Sequence, residues 1–132
     1  MGNGGTLLEG NADLIKSWRV SPFWVRENIR GYTSVHNLNI ITGYGPSMEP
    51  VFSSGDPLLI DIGIRDALVD GLYFFRISEQ GFIKQLQRIP TPGGVMLRAK
   101  SYNPSFDPFD FKPDDQFEVF GRVLTVWRSQ QM

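Results

Sequence analysis

From Leu38 to Trp127 the apolar residues come in short runs, each bounded by Gly, Pro, Asn, Asp or Ser. That punctuation suits strands and tight turns and leaves no room for long helices. Strands are expected over 38–42, 57–62, 72–77, 82–88, 95–100 and 117–127. Pro57-Leu58-Leu59-Ile60-Asp61-Ile62 is nearly continuous in its apolar character, which predicts burial on both faces. Tyr73, Phe75 and Ile77 alternate, so they share one face. Ser78-Glu79-Gln80-Gly81 joins two runs as a hairpin, and Pro90-Thr91-Pro92-Gly93-Gly94 is a second turn. The last run sets Phe117, Val119, Gly121, Val123 and Thr125 against Phe120, Leu124 and Val126. Pro108 breaks the segment Phe106–Phe111, which reads as an exposed aromatic loop or an edge. The expected fold is all-β and mostly antiparallel.

Upstream, Gly2, Gly4, Gly5 and Gly10 mark residues 1–10 as a flexible lead-in or linker remnant. Asn11 is placed to cap a short helix carrying Leu14, Ile15 and Trp18. A second short helix is expected over 22–30. Ser21 caps it, Pro22 opens it, Val20 and Val25 form a staple, and Gly31 ends it. Trp18, Phe23 and Trp24 read as packing residues. Residues 11–132 are then one domain, a size that supports a real core.

Thirteen basic against fourteen acidic residues leave a net charge of -1, which is no electrostatic footprint for nucleic acid. There is no cysteine, so disulfides and thiolate metal sites are excluded. No run approaches the ~20 apolar residues of a membrane-spanning helix. A cytoplasmic location is the expectation.

The most chemically suggestive stretch is Gly45-Pro46-Ser47-Met48-Glu49-Pro50, directly after the run 38–42. Such a turn can present one small side chain at a strand end, here the hydroxyl of Ser47. A serine needs a nearby base to become a nucleophile. The chain has one histidine, His36, in a polar stretch that suits a surface or hydrogen-bonded role. Lys84 is the other candidate. It shares a strand face with Phe82 and Leu86, where desolvation disfavours the ammonium form. Lowering a lysine from about 10.4 to about 7 takes roughly 4–5 kcal/mol of differential solvation. On these residues alone a second reading stays open: a strand lysine that discourages edge pairing, and an ordinary turn serine. Asp56, Asp61, Asp66 and Asp70 match no cation-binding loop and read as turn and strand-end residues. Met48 reads as a core plug.

The blocks Gly45-x-Ser47-Met48-x-Pro50, Gly55-Asp56, Asp70-Gly71-x-Tyr73, Ile83-Lys84, Ser101-x-Asn103 and Gly121-Arg122-Val123 occur in that order. Together they resemble the LexA/phage-repressor peptidase family from about residue 38 to the end. Asp70–Arg76 looks most like the C-terminal domains of prophage repressors. The resemblance implies a LexA/signal-peptidase-like β fold with a Ser–Lys dyad that cuts its own chain in cis. Ser47 falls on the nucleophile and Lys84 on the general base. Gly45, Met48 and Pro50 shape the turn, and the Ser47 N–H is the candidate oxyanion donor. The resemblance also implies a homodimer or higher oligomer, a RecA filament as co-protease, and DNA contact only through an upstream helix-turn-helix domain that this chain does not contain. It implies no cofactor, no metal and no membrane. Family members cut at Ala-Gly or Cys-Gly, and neither pair precedes Ser47. Ala12-Asp13 stands at a suitable distance, with Asp where the family has Gly. Two other readings follow: an oligomerisation module with a vestigial dyad, or a stand-alone polymerase-accessory relative of the mutagenesis type.

Overall fold

Pairing β-branched and aromatic runs across tight turns produces one antiparallel sheet. The computed structural model describes residues 6–9, 14–19, 26–27, 29–43, 47–49, 51–53 and 55–126. Its strands are β1 (Thr6–Glu9), β2 (Leu14–Arg19), β3 (Leu38–Gly43), β4 (Pro57–Asp61), β5 (Gly71–Ile77), β6 (Gln80–Thr91), β7 (Gly94–Lys100), β8 (Phe109–Phe111) and β9 (Phe117–Val126). The spatial order is β1-β2-β3-β4-β9-β5-β6-β7-β8. The chain thus runs out to β8 and returns through β9 to the middle of the sheet. β1 also approaches β6, so the sheet curls back on itself.

Two clusters cover opposite faces of the central strands. Leu58 and Ile60 of β4, Phe74 of β5 and Ile83 of β6 join Met48 and Phe52 in the first. Tyr73, Phe75, Phe82 and Leu86 join Leu97 and Val119 in the second. Period-two alternation along β5 and β6 deals side chains to the two clusters in turn. Phe75 anchors the second, with its ring centroid 5.5 Å from Phe82 and 6.0 Å from Phe111. Each fully buried side chain of this size contributes about 1.5–3 kcal/mol. Leu59, on the other side of β4 from Leu58 and Ile60, packs with Leu38 in a third cluster. β4 is therefore covered on both faces, as its continuous apolar run predicts.

Several expectations are corrected. The segment carrying Leu14, Ile15 and Trp18 is β2 and not a helix, paired with β3 from Ile15 opposite Gly43 to Arg19 opposite Asn39. So short a helix is marginal in water, while the open edge of β3 offers backbone partners along the whole segment. Part of the lead-in is likewise in the sheet, since Thr6–Glu9 forms β1 against β2. Arg26 and Glu27 are helical, within the expected second helix. Residues 22–25 and 28 of that helix, and with them Phe23 and Trp24, lie outside the described residues. Ile29 and Arg30 are not helical, so the helix ends before the expected Gly31; that glycine does adopt a left-handed φ of +78°, but beyond the helix end.

The strict alternation expected of β9 also fails. Its register slips between Phe74 and Phe75 of β5 and again between Leu59 and Ile60 of β4. Phe120 and Leu124 are the extra residues, because Gly121 and Val119 face consecutive residues of β5, and Thr125 and Val123 consecutive residues of β4. Val119 and Val123, assigned to one face from the sequence, consequently pack in opposite clusters. Two turns are tighter than expected. Ile77 pairs with Gln80, leaving Ser78-Glu79 as the loop, with Ser78 at φ 54°. β6 continues through Pro90 to Thr91, leaving Pro92-Gly93 before Gly94. Phe109–Phe111 is the edge strand β8, paired only with β7 among the described residues.

Candidate functional site

Ser47 follows β3, in the turn that reverses the chain toward β4. The turn is braced from both ends. The Gly55 N–H donates to the Gly43 carbonyl at 2.9 Å and the Val51 N–H to the Met48 carbonyl at 3.0 Å. The carboxylate of Asp56 accepts from the Ser53 N–H at 2.8 Å. Met48 plugs the turn into the first cluster, beside Phe52 and Ile83. At Gly43 a Cβ would stand 3.2 Å from Ile83 Cδ1, so the end of β3 lies hard against β6. Ser47 itself is buried, at 5 % exposure. Gly45 and Pro50, the other residues expected to shape the turn, lie outside the described residues, as does Pro46.

Lys84 stands on β6 between Phe82 and Leu86, on the face of the second cluster, and is 8 % exposed. Its Nζ lies 6.0 Å from the Phe82 ring centroid and 5.9 Å from that of Phe106. The amine donates to Ser101 Oγ at 2.7 Å. Two residues further on, the Asn103 N–H donates to the carbonyl oxygen of Ser47 at 3.1 Å. The loop after β7 therefore touches both residues assigned to the dyad. The sequence supplies Ser101-x-Asn103 only as part of a pattern. The register of the folded sheet accounts for the first contact, since position 85 faces position 100 and 84 therefore falls opposite 101; the contact of Asn103 with Ser47 has no such local signal.

The remaining motif blocks have structural work. The Tyr73 hydroxyl donates to the Val69 carbonyl at 2.9 Å, and Asp70 Oδ1 accepts from the Arg88 N–H at 2.9 Å. Arg122 stands 5.9 Å from the Tyr73 ring. A Cβ on Gly71 would stand 3.1 Å from its guanidinium, so glycine there makes room for Arg122. Burial pushes the Tyr73 hydroxyl above its ordinary value, although nearby Arg122 pulls the other way. Tyr73 is the residue paired with Lys84 across β5 and β6. Asp61 is wholly buried; its carboxylate accepts from the Thr33 N–H, the Thr33 hydroxyl and the Gly63 N–H. His36 is exposed in the 3-10 turn Val35–Asn37, where its N–H donates to Ser34 Oγ at 3.2 Å.

What the arrangement offers chemically is a primary amine and a serine, both buried, with the amine and the serine's main-chain carbonyl bonded to the same short loop. Residues 13–124 match the family model described as peptidase S24-like. Neither curated proteins nor solved structures give a match. The matched span takes in β2 through most of β9 and every motif block, including both Ser47 and Lys84, and the observed sheet is the all-β fold that the blocks imply. The chain belongs to the peptidase S24-like family, a family of serine peptidases.

Proposed function

We propose that this protein is the C-terminal domain of a phage-type repressor and cuts its own chain in cis, with Ser47 as nucleophile and Lys84 as general base. The observation that carries the reading is the buried Lys84 amine, bonded to the loop that also holds the Ser47 carbonyl. Loss of water around an amine weakens the hydration that favours its charged form, which is what a general base at neutral pH requires. Ser47 Oγ bonds to the scissile carbonyl carbon while its proton passes to Lys84. The C–N bond then breaks, Lys84 returns the proton to the leaving amine, and water hydrolyses the ester. The Ser47 N–H serves the developing oxyanion, a kind of contact worth roughly 2.7–4 kcal/mol. A tethered substrate supplies a high effective concentration, so a modest catalyst suffices.

The substrate segment in this reading is the chain between β1 and β2. Ala12-Asp13 lies outside the described residues, but β1 approaches β6, the strand that carries Lys84. In the cell the domain would dimerise in the cytoplasm and answer a RecA filament. Joining two DNA-binding partners can add 10²–10⁴ in avidity, on the order that cleavage would abolish. The lack of Ala-Gly or Cys-Gly before Ser47 favours one alternative, an oligomerisation module whose dyad no longer cuts.

Incubation of the full-length chain at alkaline pH, followed by intact mass, separates the two. A cut that disappears in Ser47→Ala and in Lys84→Ala supports the peptidase. An uncut chain at every pH leaves the oligomerisation module.

A further inference from the structure

We infer that Ser101 and Asn103 form a positioning clasp that sets the Lys84 amine relative to the Ser47 turn. This rests on the reading of Ser47 and Lys84 as nucleophile and base. Register continues past the last paired residues of β6 and β7, Gln85 and Lys100, and brings Ser101 opposite Lys84. There β7 ends while β6 runs on beside β5, and the Ser101 hydroxyl receives the amine at 2.7 Å.

A lysine has a flexible four-carbon stem, so an amine used as a base needs an acceptor to hold it. A hydroxyl suits a group that changes protonation state. Its oxygen accepts from ammonium or amine, and its O–H can turn to donate to the amine lone pair. Ser101 can therefore keep its bond before and after the proton moves.

The other half of the clasp is main chain. The Asn103 N–H holds the Ser47 carbonyl at 3.1 Å, which fixes the peptide plane that leads from Ser47 into Met48. Met48 is 2 % exposed, so that plane is pinned from the far side as well. Asn103 is itself locked in a turn. Its side-chain oxygen accepts from the Ser105 N–H at 2.9 Å, and its carbonyl accepts from the Phe106 N–H at 3.1 Å. Phe106, at the end of that turn, is one of the two rings flanking Lys84 Nζ. One loop thus contacts the base twice and the nucleophile's backbone once. Neither Ser101 nor Asn103 is assigned a bond-making role.

A serine-directed fluorophosphonate tests the clasp on the full-length chain without requiring a scissile bond. Labelling of Ser47 is followed by mass, and thermal unfolding checks each variant's fold. The expectation is labelling of the parent chain, none in Ser47→Ala, and loss in Lys84→Ala. Ser101→Ala should slow labelling by about 10- to 100-fold, because a misplacement near 1 Å costs on the order of 10²-fold. Ser101→Thr, which keeps the hydroxyl, should recover most of the rate; a merely structural serine would show no such rescue. If Ser101→Ala does not fold, Ser101→Cys, close in size and a poorer acceptor, carries the same expectation. Parent-rate labelling in the folded Ser101 variant overturns the clasp and leaves the dyad standing. Absence of labelling in the parent chain overturns the dyad, and the clasp with it.

Discussion

Gly121 of β9 passes so close to Asp61 of β4 that a Cβ there would stand 2.9 Å from the Asp61 carbonyl oxygen. The neighbouring atom is backbone in the middle of the sheet, so it cannot swing aside. Gly121→Ala should therefore destabilise the fold by about 1–3 kcal/mol, as overpacking of a dense core does. The urea midpoint should fall with the slope unchanged. A midpoint equal to that of the parent chain would show that the two strands can part without cost.

The carboxylate of Asp61 is buried and gathers three donors from Thr33 and Gly63, residues that are themselves exposed. Asp61→Ala removes the acceptor of the Thr33 and Gly63 N–H groups; water can reach both, so the cost should be about 0.5–1.5 kcal/mol for each hydrogen bond lost. Asp61→Asn keeps one acceptor oxygen and should cost less. Amide exchange at Gly63 and Thr33 reads the local effect. Exchange that stays slow in Asp61→Ala would mean other acceptors replace the carboxylate.

Met48 connects the Ser47 turn to the core, and its position couples stability to chemistry. Met48→Ala should cost about 2–5 kcal/mol, whereas Met48→Leu should stay below about 1.5 kcal/mol because volume is conserved. If the turn depends on this plug, Ser47 labelling should slow in the alanine variant beyond any loss of folded protein. Equal labelling per folded molecule would separate the plug from the chemistry.

Glu118 bridges two arginines, accepting from Arg76 Nε at 2.9 Å and from Arg65 Nη2 at 2.8 Å. The bond from Arg76 is the main reason its carboxyl sits below the ordinary value of 4.5, with burial working against it. A carboxyl lowered in the folded state contributes stability above its unfolded value. That contribution is lost as pH falls through the folded value. The group is partly exposed, so solvent screening keeps the effect small. The stability difference between the parent chain and Glu118→Gln should be present at neutral pH, shrink below about pH 4.5, and shrink with added salt. A difference independent of pH would assign the effect to packing.

Much of the site was legible from residue types and order. Lys84 falls between Phe82 and Leu86 on one strand face whatever the rest of the molecule does, because successive strand residues alternate. The turn character of Gly45–Pro50 follows from its glycine and prolines, although Gly45 and Pro50 lie outside the described residues. The edge position of Phe109–Phe111 follows from Pro108. By contrast, Leu14–Arg19 reads equally well as a helix face, and only the free edge of β3 makes it a strand. The bulges at Phe120 and Leu124 leave no local mark apart from Gly121.

By itself the sequence determined where strands and turns fall from Leu38 onward, since backbone preference and alternation act over neighbouring residues. It also determined that an alcohol and an amine were the groups to watch. Tertiary structure alone decided that β9 returns to the centre of the sheet, that Val119 and Val123 part to opposite clusters, and that the loop after β7 holds both Lys84 and Ser47. Those outcomes depend on contacts between residues far apart in the chain, whose free energy exists only once the sheet has closed.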